Sequence, residues 1–159
     1  MKEIPLNKGF IALVDDEDFS DLIQYRWWAV KGRYTYYASR RLGCNTNTKI
    51  DMHRHIMKPG LQDKIDHKDG NGLNCQKENM RVCTNQQNCL NRKPDKECRS
   101  SFKGVRPSSL NENPRWRADI SFNGHHYYLG SYDLEKDAAL AYNQKAMELC
   151  GEFARLNQV

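Results

Sequence analysis

The chain has 159 residues and a formal net charge of +5, with a pI near 8.9. Only 38% of its residues are hydrophobic and the mean hydropathy is −0.89, which is low for one large core and predicts small modules in series. No apolar run is long enough to span a membrane, and the opening MKEIPLNKGF does not resemble a signal peptide, so the sequence predicts a cytosolic protein. The positive charge suits a polyanionic partner.

The N-terminal region, 1–50, is predicted to be a small β-rich module. An apolar run predicts a strand over 10–14, and the acidic cluster after it predicts a short helix over 19–25, because acidic groups favour a helix start. Residues 27–30 and 34–38 predict a hairpin. Basic and aromatic residues are interleaved in this hairpin, which suits contact with DNA, although aromatic residues in a strand more often belong to a core.

The next segment, 52–57, reads MHRHIM and is predicted to be a short helix or an extended lead-in. Arg54 is a candidate contact to a phosphate group. His53 is placed either near an active site or in the supporting fold, and His55 is expected to support the fold.

The most informative pattern lies in residues 65–92. Two β-prone runs flank a glycine-rich turn; the first ends in Asp66-His67 and the second covers 80–83. The capping box TNQQ then starts a helix that contains Asn88. Such a unit can hold one hard divalent cation between the carboxylate and the carboxamide, beside a histidine that takes a proton from water.

The string IDHKDGN…LN…ENMRV…NQQN resembles the HNH motif, the ββα-metal unit of homing endonucleases, restriction enzymes and colicin-type nucleases, over residues 52–92. The resemblance implies that His67 is the general base and that the side-chain oxygen of Asn79 holds its other imidazole nitrogen. It also implies that Asp66 and Asn88 are the metal ligands. Many relatives carry histidine at the position of Asn88, and a neutral oxygen ligand favours Mg²⁺, with Mn²⁺ as an alternative, over Zn²⁺.

The resemblance extends to the regions around the motif. Arg81 and Arg92 flank it, and we expect them to contact the nucleic-acid backbone. The opening string IPLNKGFIALVDDEDF is similar to the N-terminal segment of phage and bacterial HNH homing endonucleases. This similarity implies an extra sheet that contacts DNA beside the nuclease unit. It also implies a location in the cytoplasm of a bacterium or of a phage-infected host.

Residues 94–100 are charged and lack an apolar pattern, so they are predicted to be a linker. After them, apolar and polar residues alternate over 115–122, and Asn123-Gly124 predicts a hairpin with a two-residue turn. Such a turn pairs Ser121 with His126, Asp119 with Tyr128, and Ala118 with Leu129. One face of the predicted sheet is therefore apolar and the other is polar.

A helix is predicted after this hairpin, with Asp133 as its N-cap and Gly151 at its end, and it would cover the apolar face. Residues 101–159 resemble the plant ethylene-response-factor (APETALA-type) DNA-binding domain in the strings KGVR, WRADI, YLG, DAALAY and LN. That family lays a three-stranded sheet in the major groove of DNA. The resemblance implies DNA contacts from Lys103, Arg106, Arg117, His126 and Tyr128.

The six cysteines show neither a CxxC pair nor a secretory context, so they are predicted to be reduced thiols. A structural Zn²⁺ site is disfavoured, because its ligands are usually paired two to four residues apart. The cysteines that would form it are Cys75, Cys83, Cys89 and Cys98.

These features predict an α+β protein built from a β-rich module (1–50), a ββα-metal nuclease (51–93), a linker (94–100), and a three-stranded antiparallel sheet packed on one helix (101–159). The predicted function is a site-specific endonuclease of the HNH homing type that acts on double-stranded DNA and nicks one strand per active site. A monomer or weak dimer is expected, without a membrane or small-molecule substrate. Two alternatives are a non-catalytic DNA-binding regulator with a degenerate HNH module and a restriction or defence nuclease.

Overall fold

A computed structural model describes residues 1–43, 48–92, 99–109 and 115–159, so most of the predicted linker lies outside the described residues. The protein is a mixture of helices and antiparallel sheets, and its chain divides into two compact units, Met1–Asn85 and Gln86–Val159. None of the described helices is long and apolar enough to cross a membrane.

The described residues of the first unit form three small antiparallel sheets and two short α-helices. Strands β1 (Lys2–Pro5) and β2 (Ile11–Val14) form one pair. A three-stranded sheet has the order β3-β4-β5, and the remaining pair is β6-β7. The bounds of these elements are β3 Trp28–Lys31, β4 Tyr36–Arg41, β5 Lys49–Asp51, β6 Lys64–His67 and β7 Met80–Cys83, with helices α1 Asp16–Leu22 and α2 Met52–Met57.

Several predicted elements of this unit are present with shifted bounds. The hairpin predicted over 27–30 and 34–38 is confirmed by the antiparallel pair β3-β4, whereas the short strand β5 was not predicted. Helix α1 begins at Asp16, three residues before the predicted start at position 19. The acidic residues therefore form the first turn of the helix instead of preceding it, and their charges offset the helix dipole there.

One hydrophobic core holds the first unit together. It contains buried side chains from the predicted N-terminal module and from the predicted nuclease region. This continuous core thus extends across the predicted boundary at residue 50. The chain divides into its two compact units after Asn85 instead. The core residues are Ile4, Ala12, Val14, Leu22, Trp27, Ala38, Met52, Ile65, Leu73, Cys75 and Met80.

Helix α3 (Asn85–Leu90) begins directly after Thr84, where the capping box predicts a helix start. After α3, the described residues of the second unit form a three-stranded antiparallel sheet in the order β10-β9-β8, followed by one long helix. The bounds are β8 Val105–Pro107, β9 Trp116–Phe122, β10 His125–Tyr132 and α4 Glu135–Cys150.

The predicted Asn123-Gly124 turn is confirmed, with φ of 51° and 76° at its two residues. Two of the predicted pairings are observed, and the third is wrong: Ala118 pairs with Gly130 instead of Leu129. A register shift after Tyr128 inserts one extra residue into β10, and such a bulge is not visible in the local alternation of the sequence.

Helix α4 packs on the apolar face of this sheet, as predicted. Ala138, Ala139, Tyr142 and Ala146 are its buried residues, and they lie in clusters with Ala118 and Ile120 of β9 among others. The predicted end at Gly151 is confirmed, with φ of 52°. The predicted N-cap is wrong: the cap position is Leu134, and Asp133 instead pairs with the guanidinium of Arg115 at 3.1 Å.

Candidate active site

Strands β6 and β7 form the antiparallel pair that the sequence predicts. Their register places Asp66 opposite Arg81 and His67 opposite Met80. Asp66 and His67 are 4% and 5% exposed, respectively, so both polar side chains lie inside the protein at the end of a strand. A buried acid next to a buried imidazole requires partners, and these partners define the chemistry of the site.

The turn after His67 is fastened by Asn79. Its side-chain nitrogen donates to Asp69 Oδ1 at 3.1 Å and to the carbonyl of Asn74 at 2.9 Å, and its side-chain oxygen accepts from the amide of Asp69 at 3.1 Å. These bonds hold the turn that follows the candidate base. The sequence assigned Asn79 to the second imidazole nitrogen, and that assignment remains a prediction.

Burial is the main influence on the pKa of the His67 imidazole. It lowers the pKa of His67 below its ordinary value, while the carboxylates of Asp69 and Asp66 act in the opposite direction. A neutral imidazole can accept a proton, as a general base must. The rings of His53 and Tyr37 lie 5.3 Å and 6.0 Å from the His67 ring, measured between centroids.

The carboxylate of Asp66 forms an ion pair with Arg81. The Nε and a terminal nitrogen of the guanidinium donate to Asp66 Oδ2 at 2.8 Å and 2.7 Å. The Arg81 side chain is only 12% exposed. The sequence predicted that Arg81 contacts the nucleic-acid backbone, whereas the structure shows it engaged with the predicted metal ligand.

The donor chemistry of the predicted ligands fits a hard cation, because a carboxylate and a carboxamide both offer oxygen atoms. Asn88 lies on α3 and is half-buried. Its assignment rests on the sequence motif. Among the described ranges, no three histidine, cysteine, aspartate or glutamate side chains are grouped as metal ligands. Of the cysteines considered for zinc, Cys98 lies outside the described residues, and burial raises the pKa of Cys75 to about 12.

Arg54 and His55 on α2 have structural partners. The guanidinium of Arg54 donates to the carbonyls of Asp63 and Gly60 at 3.0 Å and 3.1 Å, which ties down the loop before β6. The sequence predicted a phosphate contact for Arg54. His55 Nε2 lies 2.7 Å from Asp21 Oδ2, and its ring packs against Tyr25, so it has the supporting role that was expected.

Of the predicted DNA contacts in the second unit, Lys103 binds backbone carbonyls of the same chain, whereas the others lie on the polar face of the sheet. The ammonium of Lys103 donates to the carbonyls of Cys89, Leu90 and Arg92, and burial lowers its pKa to about 8. These carbonyls lie at and just beyond the end of α3, where helical carbonyls lack intrahelical donors. Lys103 thus caps a helix, a role that the sequence did not indicate.

The other predicted contacts share the polar face of the second sheet. Arg106 and Arg117 both approach Asp119 Oδ2, at 3.0 Å and 3.3 Å, and the Arg117 guanidinium lies 4.7 Å from the centre of the Tyr128 ring. His126 Nδ1 lies 3.2 Å from Ser121 Oγ. The arginine side chains remain 57% and 36% exposed, so this face presents cations to solvent.

Two residues near the site were missed by the sequence reasoning, Thr35 and Tyr37. Thr35 Oγ1 accepts from the amide of Gly72 at 3.0 Å, and a Cβ at Gly72 would lie 2.6 Å from the Tyr37 ring. The hairpin β3-β4 therefore holds the far end of the turn that follows His67. The glycine at position 72 was the available signal, since a close backbone approach requires a residue without a side chain.

Comparison with known proteins places the chain in a family. No protein-family profile matches the chain. A mimivirus protein of Acanthamoeba polyphaga named "Uncharacterized HNH endonuclease L560" is 34% identical over 158 residues, which cover 96% of this chain and 77% of that protein. "Protein 3.8" of Escherichia phage T7 is 36% identical over 91 residues, 57% of this chain and 73% of that protein. The chain belongs to the HNH endonuclease family.

Proposed function

We propose that the protein is a metal-dependent, site-specific DNA endonuclease of the homing type, and that His67 is its general base. The observation that carries this proposal is the buried imidazole at the end of β6, next to an acid and followed by a turn that Asn79 fastens. Burial lowers the pKa of His67, which favours the neutral form that accepts a proton.

The chain's own residues have distinct parts in the proposed reaction. His67 takes a proton from the attacking water, and Asn79 keeps the neighbouring turn in place. Asp66 and Asn88 are the proposed oxygen ligands of a divalent cation, for which Mg²⁺ is the best match. When bound, such a cation neutralises charge that develops on the phosphate and on the leaving oxygen.

The polar face of the second sheet is the proposed DNA-reading surface. Arg106, Arg117, His126 and Tyr128 lie on it. Exposed guanidinium groups contact phosphates and the edges of guanine bases. This surface favours a defined target over indiscriminate defence cleavage.

A non-catalytic DNA-binding regulator is the second candidate, and one observation favours it. The Asp66 carboxylate accepts two bonds from Arg81, so its charge is already balanced by the protein. A metal ligand with a competing cation binds metal more weakly. This arrangement would suit an HNH module that no longer cleaves.

A plasmid-nicking assay separates the two candidates. With Mg²⁺, we expect the wild-type protein to convert supercoiled plasmid to the open-circular form, and EDTA to stop the conversion. His67→Ala should lower the nicking rate by about 10²–10⁴-fold without changing the Kd for the same plasmid, because only proton abstraction is lost. His125→Ala, at an exposed histidine outside the proposed site, is the matched control.

Two results would contradict the proposal. Nicking by His67→Ala at the wild-type rate would remove the base assignment. Binding without nicking by the wild-type protein, in Mg²⁺ and in Mn²⁺, would favour the regulator.

A further inference from the structure

The ring of the candidate base, His67, lies in a cluster with two other aromatic rings, and each of the three rings comes from a separate element. The His53 ring, from α2, lies edge to face with the His67 ring, at a centroid distance of 5.3 Å and an angle of 90°. The Tyr37 ring, from β4, lies 5.5 Å from the His53 ring and 6.0 Å from the His67 ring. The imidazole of His67 is therefore bordered by two flat neighbours.

His53 is held firmly in this cluster. It follows Met52, which is fully buried in the core of the first unit, and is itself only 9% exposed. Both residues belong to the first turn of α2, so the anchored methionine fixes where the histidine ring begins.

Tyr37 is held as firmly from the other side. A Cβ at Gly32 would lie 2.7 Å from a Tyr37 ring carbon, and a Cβ at Gly72 would lie 2.6 Å from another. The tyrosine ring is thus packed between two stretches of backbone that approach closely enough to exclude any side chain. These close approaches on two sides restrict the movement of the Tyr37 ring away from His67.

The contact between the two histidines is one of ring packing. His53 Nδ1 is buried and makes no hydrogen bond within the part of the chain that the structure describes. Burial, with the nearby His67 and Arg54 acting in the same direction and Asp51 against, lowers the pKa of His53 to about 4, so its ring is neutral. A neutral ring beside the base does not compete with it for a proton as a carboxylate would.

We infer that His53 is a positioning residue, which keeps the His67 imidazole in its reactive orientation through this edge-to-face contact. The inference rests on the proposed function, in which His67 is the base. Orientation matters because a displacement of about 1 Å at a catalytic group can lower a rate by about 10²-fold. A side chain of similar volume at position 53 is not sufficient for this role, because the contact requires a flat ring beside the His67 imidazole.

The test compares His53→Phe, which keeps a flat ring, with His53→Leu, which fills similar space without one. Nicking of supercoiled plasmid is measured with Mg²⁺ at a temperature where both variants are folded. We expect His53→Leu to lower kcat by about 10-fold with KM unchanged, and His53→Phe to restore most of that loss, because a loosened base loses rate and not substrate affinity. His55→Leu, on the same helix, should leave kcat unchanged and is the matched control.

Two further measurements keep the inference falsifiable. In a His67→Ala background, His53→Leu should have no further effect on the residual rate, because the group that it positions is absent. By NMR without DNA, His53→Leu should weaken the NOEs between the ring protons of His67 and Tyr37, and His53→Phe should retain them, with the His67 resonances assigned by their loss in His67→Ala. Equal kcat values for the two His53 variants, an additive loss in the His67→Ala background, or unchanged NOEs in His53→Leu would each overturn the inference. Unimpaired nicking by His67→Ala would instead refute the proposed function, and the NMR result would still decide whether His53 positions the ring.

Discussion

Asp66 is a buried carboxylate that forms an ion pair with the Arg81 guanidinium. Both bonds from Arg81 reach the same oxygen, and both side chains lie inside the protein. Removing one partner of such a pair costs more than the pair itself contributes, because the remaining charge stays buried after losing a counter-ion.

Arg81→Ala should therefore lower the free energy of unfolding by about 3–5 kcal/mol. Urea denaturation followed by circular dichroism measures this loss. Arg26→Ala, at an exposed arginine of the same unit, should change the free energy by no more than about 0.5 kcal/mol. Equal losses in the two variants would show that Arg81 does not compensate the buried charge of Asp66.

At the residue scale, the sequence predicted positions better than it predicted contacts. Asp66 and His67 were located by their place at the end of a β-prone run, and the structure puts them there. The partners of Arg54, Arg81 and Lys103 depend on backbone groups and strands that meet only after folding. An arginine or lysine in a sequence reveals its charge, but not whether a carbonyl or carboxylate of the same chain will bind it.

At the scale of the elements, two turns of the second unit contain glycines with similar backbone conformations and different surroundings. Gly104 and Gly124 both have positive φ, 72° and 76°, but their surroundings differ. A Cβ at Gly104 would lie 2.0 Å from a ring carbon of Tyr142 and 2.8 Å from the carbonyl oxygen of Asp119. A Cβ at Gly124 would meet no heavy atom within 4 Å.

Substitution by alanine should separate these two effects. Gly124→Ala should cost about 1 kcal/mol of unfolding free energy, since only backbone strain is added. Gly104→Ala should cost about 3 kcal/mol or more, because the methyl group also displaces the Tyr142 ring in the core under the sheet. Thermal unfolding of both variants measures the difference, and similar costs would mean that the ring yields easily.

The elements themselves were predicted where local chemistry specifies them. The Asn123-Gly124 pair predicted the hairpin, and the alternation of apolar and polar residues predicted the two faces of the sheet on which α4 packs. The register error at Leu129 and the missed strand β5 have a common cause, since a bulge and a three-residue strand are defined by their partners. The start of α1 was misplaced because acidic residues are equally suited to a cap and to a first turn.

At the scale of the whole molecule, the net charge of +5 is the property most relevant to the proposed DNA partner. The affinity for a random-sequence 30-base-pair duplex should fall as salt rises, because each bound phosphate releases counterions. Arg117→Ala should weaken binding and reduce the slope of log K against log salt by about 1.

Two further variants sharpen this test. Asp119→Asn should strengthen binding, because it removes the negative charge that Arg106 and Arg117 share. Lys136→Ala, at an exposed position on α4, should leave the slope within error. A slope that responds equally to Lys136→Ala and Arg117→Ala would argue that the polar face of the sheet is not the contact surface.

The continuous core of the first unit also bears on protein engineering. The nuclease hairpin supplies Ile65 and Met80 to the same interior as Ile4 and Ala12, and the turn after His67 is tied to Thr35. A fragment that began at residue 51, as the motif alone would suggest, would lack the N-terminal residues that share a core with this hairpin. Transplanting the proposed catalytic strands onto another targeting protein therefore calls for carrying residues 1–90 together, so that the opening sheets serve as scaffold and helix α3 brings Asn88 with it.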